Sequence, residues 1–163
     1  MSESKPTVLL LCTTNTCRSQ IAEALLRHLA GDRFEALSAG LAPGEVVLPL
    51  ALQVLHEKDI DTTGLRPKHI REFLGIVRIH TAITVCARVA ETCPEAWPGA
   101  LEQIFWPIDN PVVAEGTGDE RLDAFRRTRD TIESKLRDWL AVQDQTRSPA
   151  TATRDPVLLS DIE

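Results

Sequence analysis

Val8-Leu9-Leu10-Leu11-Cys12-Thr13-Thr14-Asn15-Thr16-Cys17-Arg18-Ser19 begins as an unbroken apolar run and turns polar at a cysteine. A short apolar run bounded by Pro6 and polar residues reads as a buried strand. Downstream, Ile21, Leu25 and Leu29 fall on one helical face, and Gly31 stands where a C-terminal cap belongs. Cys12 therefore ends a strand, and its loop opens onto a helix N-terminus. Such a corner gathers unpaired backbone N–H groups and the positive end of a helix dipole, which together hold anions. A thiol placed there is expected to ionise readily and to act as a nucleophile at neutral pH. Thr13, Thr14, Asn15, Thr16 and Cys17 form the loop that would surround a bound anion, and Arg18 can clamp a tetrahedral oxyanion with paired N–H donors. Ser19, beside it, can hydrogen-bond the thiolate and hold it ionised. The competing interpretation is a structural cysteine with a solvated arginine nearby, and the strand, polar loop and helix start in succession weigh against it.

Composition bounds the rest. At 163 residues the chain is long enough for one domain with a real core. No apolar stretch approaches the length of a membrane span and no charged-then-apolar leader is visible, so a cytoplasmic protein is expected. A net charge of −6 argues against nucleic acid or anionic membrane as a partner, since both call for a basic face. An anionic substrate must then be attracted locally, by loop amides and Arg18. The 4 cysteines of a cytoplasmic chain point to reactive thiols or metal before structural disulfides.

Further along, Phe34 to Gly40 alternates enough for a second strand, and Leu48, Leu52 and Leu55 mark a second helix running to about Asp59. Thr62 to Pro67 is a turn-rich connection, followed by a short helix near Ile70 to Leu74. Ile79 to Val85 is a third strand that ends at Cys86, and Leu101 to Trp106 a fourth. Thr117-Gly118-Asp119-Glu120 is a capping box, after which Leu122, Phe125, Ile132, Leu136 and Trp139 share the buried face of a long helix. Residues 1–142 thus form one α/β domain, and residues 143–163, rich in Pro, Thr, Ser and Asp, are expected to be a loosely ordered tail. Alternation of strand and helix predicts a four-stranded parallel sheet in three layers, with helices on both faces. Ligands of such sheets bind beyond the carboxyl ends of the strands, the rim where Cys12 and Cys86 both end up.

Three other groups can carry chemistry. Cys86 and Cys93 are separated by Ala87 to Thr92. The residues leave two readings open: a pair of unrelated buried thiols, or a redox pair. A disulfide needs Cα atoms within about 7 Å, so joining them requires the intervening segment to bend or unwind. A zinc site from Cys12, Cys17, Cys86 and Cys93 is disfavoured, because the second pair is spaced wider than the usual two to four residues of zinc knuckles. Asp109, before Asn110-Pro111, falls on the same rim. It is either a general acid, kept protonated by an anion-holding thiolate nearby, or a turn-initiating residue before proline. Trp97 and Trp106 could wall a site but read more simply as core. His28, His56, His69 and His80 show no metal spacing and read as structural or solvated.

From about Thr7 to Leu140 the chain resembles the thioredoxin-coupled arsenate reductases built on the low-molecular-weight phosphotyrosine phosphatase fold. The resemblance rests on Cys12-x-x-Asn15-x-Cys17-Arg18-Ser19-Gln20 with Ala22-Glu23, on Ser38-Ala39-Gly40, and on Thr84-Val85-Cys86 through Cys93-Pro94. Trp106-Pro107-x-Asp109-x-Pro111 and Arg126-x-x-Arg129-Asp130 complete it. It implies a relay of three thiols. Cys12 attacks arsenate held by the loop and Arg18, while Asp109 protonates the departing oxygen. Cys86 then attacks the Cys12 sulfur, releasing arsenite, and Cys93 takes over Cys86 to give a disulfide that thioredoxin reduces. A monomer is expected, with no cofactor beyond a potassium ion that is doubtful.

The chain departs from that family in two places. Thr14 stands where the family loop usually has Gly, so the turn is expected to be made with a β-branched residue. Members with a potassium site use residues matching Asn15, Glu23 and Ser38, but the further ligands have no clear match near Arg66-Pro67-Lys68. Cys17 matches a family cysteine outside the relay and reads as loop support. The nearest rival is a phosphatase, since phosphate and arsenate share geometry and charge. That branch usually sets an aromatic, often Tyr, beside the acid, whereas this chain has 0 Tyr and places Asn110-Pro111 after Asp109. A non-enzymatic thiol sensor is the alternative from another class.

Overall fold

The computed structural model describes residues 5–86 and 97–152, with side chains described as far as residue 146. Cys93 lies outside the described residues. Four strands, β1 (Thr7–Cys12), β2 (Glu35–Gly40), β3 (Thr81–Cys86) and β4 (Glu102–Pro107), form one sheet in the order β2-β1-β3-β4. Every neighbouring pair is parallel. Three α-helices, α1 (Arg18–Ala30), α2 (Pro49–His56) and α3 (Gly118–Ala152), connect or follow them. Strand order reverses between β1 and β3, which is where open α/β sheets bind their ligands. Cys12 and Cys86 are the last residues of those two adjacent strands.

The sheet is parallel because its central strands are apolar on both faces: every residue of β1 and of β3 is buried. Alternate residues divide between two clusters. Val8, Leu10, Ile83 and Val85 face α1, α2 and α3, packing with Ile21, Leu25, Val54, Leu55, Phe125, Ile132 and Leu136. Leu9, Leu11, Ala39 and Ala82 face the other way, against Trp97 and the partly buried Ile70 and Phe73. Among the described residues, helical cover on this second face is limited to the 3-10 turn Ile70–Glu72. Trp97 is a core residue of this layer and Trp106 packs against the first, so neither walls the Cys12 cavity.

The capping box forms as expected. The Glu120 amide donates to Thr117 Oγ1 at 3.1 Å, and the Thr117 amide donates to Glu120 Oε1 at 2.8 Å. The helix it starts runs to Ala152, beyond the point at which the composition suggested a loose tail. Gln143 to Thr146 contain neither Gly nor Pro to stop it, and Arg33 Nη1 holds Asp144 Oδ1 at 2.5 Å. Polar composition alone did not break the helix, because the first such residues still have a partner across the fold.

Candidate active site

The loop between β1 and α1 turns its carbonyls outward. Thr13, Thr14 and Thr16 carbonyls accept from the amides of Ala42, Gly44 and Leu48 at 2.9–3.0 Å. The Asn15 carbonyl accepts from Gln20 Nε2 at 2.9 Å. With the carbonyls so engaged, the Asn15 N–H is left to donate to Cys12 Sγ at 3.2 Å. The left-handed residue of the turn is Asn15, with φ 56°, not Thr14. Asparagine tolerates that region better than a β-branched residue does, which is how the loop closes without the family glycine. Gly40, opposite, is needed for close approach: a Cβ there would sit 2.6 Å from the Thr13 carbonyl oxygen.

Cys12 is buried and lines a cavity of about 290 Å³, together with Thr14, Thr16, Cys17 and Arg18. Gly44 and Leu48 on one side, Asn110 and Val112 on the other, complete it. Those last four were not picked out from sequence. They enter the site only through the outward carbonyls and through the segment that follows β4. Arg18 is buried, and its Nη1 donates to the Ile108 carbonyl at 2.9 Å. One edge of the guanidinium is thereby braced by the residue just before Asp109. The asparagine after Asp109 lines the Cys12 cavity. Asp109 itself is exposed and lines the neighbouring cavity of about 440 Å³ with Arg127 and Thr128.

A hydrogen-bonded chain runs from the sulfur into the protein. Cys12 Sγ and Ser19 Oγ are 2.8 Å apart. Asn15 Nδ2 donates to Ser19 Oγ at 2.7 Å and to Ser38 Oγ at 3.0 Å. Ser38 in turn donates to Glu23 Oε1 at 2.5 Å. A carboxylate can only accept, so Glu23 fixes the direction of the Ser38 proton. Ser38 must then accept from Asn15, and Ser19, which also accepts from Asn15, is left with its own proton to direct at Cys12. Ser19 and Asn15 thus both lie within hydrogen-bonding reach of Cys12 Sγ.

The two free thiols among the described residues are Cys12 and Cys17. Burial pushes the Cys17 thiol up to about 12, with repulsion from Cys12 adding and Arg18 opposing. It stays protonated at neutral pH, in keeping with loop support. Cys86 is fully buried and disulfide-bonded. Among the described residues no group of three or more His, Cys, Asp or Glu side chains could hold a metal ion. His56, His69 and His80 make structural contacts, to Thr62 Oγ1, the Arg71 amide and the Thr7 amide respectively. No described helix is long and apolar enough to cross a membrane.

A parallel sheet with a cysteine–arginine anion loop at its switch point defines a class of phosphatase-fold proteins, and sequence comparison agrees. Residues 7–148 match the low molecular weight phosphotyrosine protein phosphatase family, and the chain belongs to it. An arsenate reductase of Halalkalibacterium halodurans is 34% identical over 134 residues, covering 82% of this chain and 94% of the relative. Among solved structures, a thioredoxin-dependent arsenate reductase of Corynebacterium glutamicum superposes with a TM-score of 0.66 at 29% identity, covering 89% of this chain and 65% of that one. An arginine phosphatase from Geobacillus stearothermophilus shares the fold at a TM-score of 0.67 and 24% identity, covering 90% of this chain and 97% of its own.

Proposed function

We propose that the chain reduces arsenate to arsenite, with Cys12 as nucleophile and thioredoxin as the reductant. The observation that carries this reading is the pairing of a free Cys12 in an oxyanion cradle with a disulfide-bonded Cys86 at the end of the next strand. A hydrolytic phosphatase needs only the first of these. The names of the relatives over nearly the whole domain support it further.

The Cys12 thiolate attacks arsenic(V), a sulfur–arsenic bond forms, and one oxygen leaves as water after taking a proton from Asp109. Cys86 thiolate then attacks the Cys12 sulfur. The pair of electrons in the sulfur–arsenic bond passes to arsenic, which departs as arsenite, and a Cys12–Cys86 disulfide remains. Cys93 thiolate attacks Cys86 and frees Cys12. A dithiol reductant supplies two electrons and two protons to the remaining disulfide. A disulfide on Cys86 with Cys12 free is the arrangement that the last intermediate requires. For its part, Asp109 must swing from the adjacent cavity toward the bound anion, a change its exposed position allows.

The test is NADPH oxidation coupled through thioredoxin and thioredoxin reductase. Consumption stoichiometric with arsenate is expected; phosphate release from an ester with no reductant demand would instead make the protein a phosphatase. Arg18→Lys is expected to lower kcat/KM for arsenate by about 10²–10³-fold, because an ammonium can neither form the paired contact nor keep the brace to Ile108. A near-wild-type rate in that variant would remove Arg18 from anion binding.

A further inference from the structure

Behind the nucleophile loop lies a buried cation. Lys68 is 6% exposed and Glu23 3%. The Lys68 ammonium has three oxygen neighbours: the Arg66 carbonyl at 2.7 Å, Glu23 Oε1 at 3.4 Å and Ser38 Oγ at 3.4 Å. An ammonium carries three protons, and these three acceptors match them. The backbone amide of the same residue donates to Asn15 Oδ1 at 2.8 Å. Lys68 therefore grips both ends of the chain that leads to Cys12: the carboxylate and hydroxyl by its side chain, the asparagine by its main chain.

A carboxylate, a hydroxyl and a main-chain carbonyl are also the oxygen set that binds a hard monovalent ion. The family resemblance implies a potassium site at Asn15, Glu23 and Ser38 in some members, and the contacts those three residues already make decide whether such an ion fits here. It does not fit. Asn15 Oδ1 is taken by the Lys68 amide and by Gln20 Nε2 at 3.0 Å. Ser38 Oγ already contacts Asn15, Glu23 and Lys68. Glu23 is paired with Arg27 as well as Lys68, so the buried carboxylate is already offset by two cations. A third cation would meet only repulsion.

We propose that the Lys68 ammonium does the work of a bound monovalent cation, a tethered ion that holds Glu23, Ser38 and Asn15 in register so that Ser19 keeps its proton on Cys12. Lys68 is a positioning residue, and the proposal rests on Cys12 being the nucleophile. Burial pushes the ammonium below its ordinary range, opposed by Glu23. That balance is expected of a charge kept inside by a partner rather than by water.

The test uses two readouts that need no arsenate turnover: thermal melting, and alkylation of Cys12 by iodoacetamide at neutral pH. Both are run at equal ionic strength in potassium, sodium, ammonium or tetramethylammonium chloride, the last being too large to enter. Wild type is expected to give the same values in all four. Lys68→Ala in tetramethylammonium is expected to melt roughly 10 °C lower, since Glu23 loses a buried partner. Its Cys12 should alkylate about tenfold more slowly. Potassium or ammonium is expected to restore much of both losses, because the truncated side chain leaves room for the ion. Lys68→Met fills that room with an apolar chain and should show the losses without the recovery. If Lys68→Ala folds only when potassium or ammonium is present, that is the same recovery seen earlier in the preparation. Wild type that potassium stabilises, an unperturbed Lys68→Ala, or losses that no cation restores would each overturn the proposal. A protein that proves not to reduce arsenate leaves these readouts intact, so the two failures are told apart.

Discussion

Cys12→Ser is expected to abolish arsenate reduction, a loss of about 10⁴-fold or more, on the scale seen when the nucleophile is removed from a unit of cooperating residues. A serine hydroxyl stays protonated at neutral pH and cannot reach arsenic as an anion. Nor can an oxygen–arsenic adduct pass its electron pair to the metalloid when a second thiol attacks. The fold should survive: Cys12 is 2% exposed in a cluster that tolerates a slightly smaller side chain, and the Asn15 amide and Ser19 can both bond a hydroxyl. Arsenate or phosphate should still raise the melting temperature of the variant, because the loop amides and Arg18 are untouched. Retained turnover in the coupled assay would move the nucleophile elsewhere.

The second large effect is expected from Cys93→Ser. Chemistry up to arsenite release does not need Cys93, so one equivalent of arsenite per protein should form in a single turnover. The steady-state rate should then fall to that of adventitious thiol exchange. Mass spectrometry of the stalled protein should find Cys12 and Cys86 joined. Cys86→Ser, by contrast, should stall one step earlier, with no arsenite released. Undiminished steady-state NADPH oxidation in Cys93→Ser would eliminate the relay, whatever the fate of Cys12.

The sheet was legible because its inner strands are short apolar runs with polar punctuation, and β1 and β3 lie within a residue or two of where those runs suggest. The capping box at Thr117 was legible because it is written in four consecutive residues. The strand end, loop and helix start that carry Cys12, Arg18 and Ser19 were legible because they are contiguous in the chain. What sequence hid was everything that depends on chain segments meeting from afar. Lys68 follows a turn-rich connection and carries no local signal of burial, yet it is buried against Glu23, forty-five positions away. Asn110 and Val112 reach the cavity only because the exit of β4 folds over the loop. The left-handed turn falls on Asn15, one residue past the Thr14 that replaces the family glycine, so the family spacing does not mark it.

The Cys12 cavity and the disulfide-bonded Cys86 belong to separate pieces of chain. The described cavity lining comes from Cys12 to Arg18, from Gly44 and Leu48, and from Asn110 and Val112, while Cys86 ends a different strand. Under the proposed function, oxyanion capture and electron delivery therefore draw on different stretches of chain. Under the proposed relay the reducing thiols come from the end of β3 and the chain beyond it, so substitutions there remove reduction while leaving the described lining of the Cys12 cavity unchanged.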